Sequence, residues 1–100
     1  MRLALAFALS VSTLPAWADD RAEHCQQWYD IAFKIMGDRQ AGAPMPEVIA
    51  YVGQLPEQHQ ETARKMAVRV FGKTRHIAPI QQEMETAEFA NAAFGACYGG

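Results

Sequence analysis

Between Ala22 and Met36, apolar residues fall at Ala22, Cys25, Trp28, Tyr29, Ala32, Ile35 and Met36, the three-and-four spacing that gathers side chains on one helical face. Glu23, Gln27, Asp30 and Lys34 fall opposite. The pattern predicts an amphipathic helix with Asp19 or Asp20 as N-cap. Its end lies between Gly37 and Gln40, because Gly42, Pro44 and Pro46 forbid going further.

Pro46 suits a first helical turn, so Glu47 to Leu55 reads as a short second helix with Val48, Ile49, Tyr51 and Val52 available for burial. A strand over "VIAYV" competes with this reading, but a lone strand has no partner in the chain. Pro56 opens a third helix. Its acids, Glu57 and Glu61, stand near the start, with Arg69 and Lys73 near the end, the order that complements the helix dipole. Ala63, Met66, Ala67, Val70 and Phe71 make its inner face, and Gly72 ends it. After "KTRHIA", Pro79 opens a fourth helix reaching about Tyr98, acidic early at Glu83, Glu85 and Glu88. Its stripe of Ala87, Ala90, Ala93, Phe94 and Cys97 is poor in bulk and suited to close helix approach.

What precedes these helices changes the picture. Arg2 is followed by an apolar run from Leu3 to about Ser12, then Pro15 and Ala16-Trp17-Ala18. The run is too short for a spanning helix, which needs about 20 apolar residues, and Ala16 and Ala18 fit the small-residue pattern of signal cleavage. Residues 1–18 therefore read as a signal peptide and 19–100 as one small helical domain, located in the periplasm or secreted. No transmembrane segment is expected after cleavage.

Removing Arg2 leaves eight basic residues against eleven acidic ones, a formal charge of minus three. Mild acidity and export both argue against nucleic acid as a partner. Export also changes the meaning of Cys25 and Cys97. Two cysteines in a small exported domain read first as a disulfide, since the compartment is oxidising and the core is small. A bridge would tie the start of the first helix to the end of the last. The predicted fold is all-α: an antiparallel bundle of three to four helices stapled by one disulfide.

Catalytic chemistry finds little to work with. The only serines, Ser10 and Ser12, lie in the expected leader, so serine-nucleophile mechanisms are excluded from the mature domain. His24 and Cys25 are helix neighbours pointing about 100 degrees apart, which does not place a base on a thiol. His59 or His76 would have to supply the imidazole of a cysteine-dependent enzyme, which with a metal-dependent periplasmic enzyme is the rival reading to a binding protein. The motif C-x-x-C is missing. His24, His59, His76 and the cysteines are scattered singly, so no metal set and no cofactor is expected. Met36, Met45, Met66 and Met84 are also isolated and read as core fillers. Glu57 and Glu61, four apart, read as a solvated first turn.

One feature suggests a partner. Lys65, Arg69 and Lys73 recur every four residues, beside Arg64 and Arg75, and predict a positive stripe along the third helix. Such a stripe suits an acidic protein surface or anionic headgroups. The plain alternative is a solvated face paired with Glu83, Glu85 and Glu88. Trp28 and Tyr29, beside Cys25 on the periodic face, read as core rather than as a recognition patch.

The layout of Cys25, Ala32, Met36, Arg39-Gln40 and Gly42, with Phe94 three residues before Cys97, resembles a group of small exported helical proteins of Gram-negative bacteria that carry one cysteine near each end of the mature chain. The resemblance implies a periplasmic helical domain with bridged ends and supplies no activity. Together these readings lead to the expectation of a non-catalytic factor that binds another envelope protein, with Cys25 and Cys97 as its disulfide and Lys65, Arg69 and Lys73 as its contact surface.

Overall fold

The computed structural model describes residues 16–100, and side chains from Asp20 onward. Residues 1–15 of the expected leader lie outside the described residues. Four helices follow in order: α1 (Ala16–Ala41), α2 (Met45–Val52), α3 (Glu57–Phe71) and α4 (Pro79–Gly99). Among the described residues there is no strand, and "VIAYV" lies entirely in α2.

The first helix is longer at both ends than its periodic stretch. With Ala16, Trp17 and Ala18 attached, helix-compatible residues precede the acids, so Asp19 and Asp20 fall inside α1 and neither is its N-cap. At the other end the helix passes through Gly37. The reason is burial: Met36 is 0 % and Gln40 2 % exposed, and the core gain of that last turn exceeds the roughly 1 kcal/mol that an interior glycine costs relative to alanine. The chain then stops at Gly42, which has φ +94°, with Gly42 N–H donating to Arg39 O at 3.0 Å and Ala43 N–H to Asp38 O at 2.9 Å. That pair of bonds is a Schellman C-cap, which requires a left-handed residue at this position.

Successive helices reverse direction. Lys34 lies 5.3 Å over the Tyr51 ring, so α2 runs back along α1. Trp28 meets His59 and Arg39 meets Phe71, so α3 runs parallel to α1. Cys25 is bonded to Cys97 while Gly37 lies near Thr86, so α4 is antiparallel to α1. The fold is an all-α bundle with its two ends joined by the Cys25–Cys97 disulfide.

The main core forms from Ile31, Ile35 and Met36 of α1, Val48 and Val52 of α2, and Ala63, Ala67 and Val70 of α3. Ile31 lies outside the predicted stripe yet is buried. Helix α4 adds little bulk: Thr86 and Ala90 are its buried residues, and Phe89 packs against the core from a half-buried position. Both α3 and α4 pack on α1, but no Cα atom of α3 comes within 8 Å of one in α4. The two helices thus flank α1 with a gap between them.

The loop leaving α3 is clamped to the end of α1. Arg39 donates to Lys73 O at 3.1 Å, Gln40 Nε2 to Thr74 O at 3.0 Å, and Arg75 Nε to Gln40 O at 3.1 Å. Gln82 then donates to His76 O at 2.7 Å across the start of α4. These bonds satisfy carbonyls that would otherwise end unpaired between two helices, and they determine where α4 begins.

Candidate functional site

Cys25 is buried, and its sulfur is joined to that of Cys97 across 72 residues of chain, with Cα atoms 5.5 Å apart. Neither sulfur is a free thiolate. The adjacent His24 instead approaches His59, ring centroids 6.4 Å apart, and His59 stands edge-on to Trp28 at 4.9 Å. His59 Nε2 also lies 3.2 Å from Gln27 Oε1. The fold therefore pairs two histidines that are 35 positions apart in the chain. His76 is elsewhere, 3.3 Å from Glu85 Oε1. Among the described residues no three His, Cys, Asp or Glu side chains converge as a metal set.

The gap between α3 and α4 forms a concave surface. It is a groove of about 540 Å³. Half-buried Trp28 of α1 floors it; Thr62, Lys65, Met66 and Arg69 of α3 form one wall; Phe89, Ala92, Ala93 and Ala96 of α4 form the other. Each wall follows from helical spacing. Thr62, Lys65, Met66 and Arg69 step by three, one and three, and Phe89, Ala92, Ala93 and Ala96 do the same, so each set lies on one side of its helix. Small side chains on α4 leave the space open, while Met66, Phe89 and Trp28 make its interior apolar.

The rim is cationic. Lys65 and Arg69 are exposed there, as the basic stripe predicts. Lys65 Nζ lies 3.6 Å from Glu61 Oε2, both about four-fifths exposed, a contact that water screens almost entirely. Among the described residues Arg69 has no ion pair. Lys73 lies just past the end of α3 at Phe71, exposed, and its carbonyl serves the Arg39 clamp. Among the described residues the alternative pairing of the stripe with Glu83, Glu85 and Glu88 is not formed. Glu85 is turned to His76, and the width of the groove separates α3 from α4.

Trp28, Met66 and Ala93 are groove residues whose spacing indicates packing, whereas Ala92 and Ala96 lie outside the predicted stripe. The available signal was the lack of bulk on the fourth helix, which is equally consistent with a close contact and with a gap. Met84 departs further from expectation: it is 55 % exposed and fills no core.

Comparison with protein-family models, curated proteins and solved structures finds no match to this chain. Among the described residues no helix is long and apolar enough to cross a membrane.

Proposed function

We propose that this is a non-catalytic binding factor, periplasmic or secreted, that seats an acidic amphipathic segment of another envelope protein in the α3–α4 groove. The observation that carries the proposal is the pairing of an apolar floor, Trp28 with Met66 and Phe89, with a cationic rim, Lys65 and Arg69, on a helix free of α4. An amphipathic helix laid in such a groove buries its apolar face against the floor and brings its acids to the rim. Electrostatic complementarity of that kind selects partners and speeds association. The Cys25–Cys97 bond supports the reading by holding the α4 wall to α1, so the groove is preformed and little ordering is needed on binding. The disulfide also fits an oxidising compartment.

The test uses Trp28 as reporter. Trp17 leaves with the expected leader, so the mature chain carries Trp28 alone. Synthetic amphipathic helices with a leucine face and either glutamate or lysine on the flanks are titrated in, alongside vesicles with anionic headgroups. The expected result is a saturable fluorescence change with the glutamate peptide that Lys65→Glu/Arg69→Glu abolishes. Equal responses to both peptides would sink the proposal, and a response to vesicles alone would replace the protein partner by a lipid surface.

A further inference from the structure

The side of α4 turned away from the groove carries a second apolar seam. Ile80, Met84, Ala87, Asn91, Phe94 and Tyr98 succeed one another at spacings of four, three, four, three and four. Ile77, in the loop just before the helix, extends the series by another three. This is the heptad spacing of a helix that lies along another helix. The seam is open over its first half, where Ile77 is 91 %, Ile80 62 % and Met84 55 % exposed; Ala87 and Phe94 are half-buried, and Tyr98, 43 % exposed, stacks on Phe94 beneath the Arg21 guanidinium of α1, while Thr86 and Ala90 are the residues that α4 buries. Scattered exposed apolar residues need no explanation, but here Ile77, Ile80 and Met84 stand in register on one side at the start of the helix. At 3.6 residues per turn the seam lies about half a turn around α4 from Phe89 and Ala96 of the groove, so the two surfaces are separate.

Charge decides what covers it. Arg21 of α1 is the cation at the Tyr98 end, but α4 itself carries no lysine or arginine, and exposed Glu83 and Glu88 flank the open Met84–Ala87 step on opposite sides. Two copies of α4 pairing in parallel would set Glu83 of one against Glu88 of the other, and antiparallel pairing would bring the two Glu88 together near the dyad. Like charges flanking a helical seam disfavour both arrangements, whereas lysines or arginines at the flanking positions of another helix would pair with them. Asn91, the one polar residue in the seam, supplies the kind of group that selects register at some expense of stability.

We infer that the outer face of α4 docks an amphipathic helix of a partner protein whose apolar seam is flanked by basic residues. The surface, the sign of its charge and its partner all differ from those of the groove, so this inference stands without the groove reading.

The experiment measures fluorescence anisotropy of two labelled synthetic helices, each as long as α4, with a leucine heptad seam and either lysine or glutamate at the flanking positions, titrated with the full chain. The lysine helix is expected to bind at least about tenfold more tightly than the glutamate helix, and Ile80→Asp/Met84→Asp to weaken it by about tenfold or more with an unchanged thermal melt, since both positions are exposed. Glu83→Lys/Glu88→Lys is expected to invert the preference, and the groove variant Lys65→Glu/Arg69→Glu to leave it unaltered. No saturable binding, equal binding of both helices, or indifference to the Ile80/Met84 change overturns the inference. So does self-association in sedimentation velocity that Ile80→Asp/Met84→Asp removes, because a second copy would then occupy the seam.

Discussion

The side-chain carbonyl of Gln40 accepts the backbone N–H of His76 at 2.8 Å, joining the last turn of α1 to the loop that delivers α4. The same side chain donates to Thr74 O, and Gln40 is nearly inaccessible to water. A buried amide making both bonds to main chain is a register device. It sets the height at which the chain turns into α4, and so which residues of α4 face the gap beside α3.

Replacing Gln40 by leucine keeps the bulk but strands His76 N–H and Thr74 O. The expected loss is about 2 kcal/mol, as for buried polar groups left without partners. Urea unfolding of Gln40→Leu checks it. Wild-type stability in that variant would mean that the clamp contributes nothing net.

Reduction of the Cys25–Cys97 bond frees 72 residues of chain, for which loop-closure entropy gives about 4 kcal/mol in the chain-entropy model. Small domains have total stabilities of about 5–15 kcal/mol, so a large drop in melting temperature is expected with reductant or in Cys25→Ala/Cys97→Ala. Calorimetry with and without reductant measures it. Acidic-peptide binding is expected to weaken as well, because Cys97 belongs to the wall of the groove.

Filling the groove separates binding from folding. Ala92 is exposed on the α4 wall, so Ala92→Phe places a ring in the gap without disturbing the core. The variant is expected to melt within about 0.5 kcal/mol of wild type, the usual range for surface changes, while losing the acidic peptide. Retained peptide affinity would put the binding surface somewhere else.

Tyr51 provides the pH prediction. Burial raises its phenol above the ordinary value of 10.0, with the Lys34 ammonium pulling the other way. Folding thus favours the protonated phenol: its contribution is intact below about pH 10 and is lost as pH rises through the higher folded-state value. Ultraviolet titration should show one tyrosine ionising late, and Tyr51→Phe should remove that late step and flatten the alkaline fall in stability. An unchanged titration curve in Tyr51→Phe would contradict this.

Much of this molecule is legible in its local pattern. The spacing over Ala22–Met36 marks a helix, the prolines and glycines mark the breaks, and the third helix buries Ala63, Ala67 and Val70 on the side the periodicity indicates. Apart from the start of α1, what the pattern misses is a matter of which neighbour a face meets. Met84 and Cys97 both occupy apolar positions of one helix, yet Met84 lies in water and Cys97 in a covalent bond. Gln40 marks a possible helix end by sequence and becomes a buried clamp because a loop 34 residues later supplies Thr74.

By itself, the sequence determined the local terms: helical faces, breaks, the sign of charge along α3 and α4, and two sulfurs available for one bond. Tertiary structure alone decided that the small residues of α4 border an open groove, that the Lys73 carbonyl serves the Arg39 clamp, and that His24 meets His59. The reason is that periodicity is a property of one helix, whereas a gap depends on the distance between two. Here that distance is set by a disulfide at one end and by the Arg39–Gln40 clamp at the other.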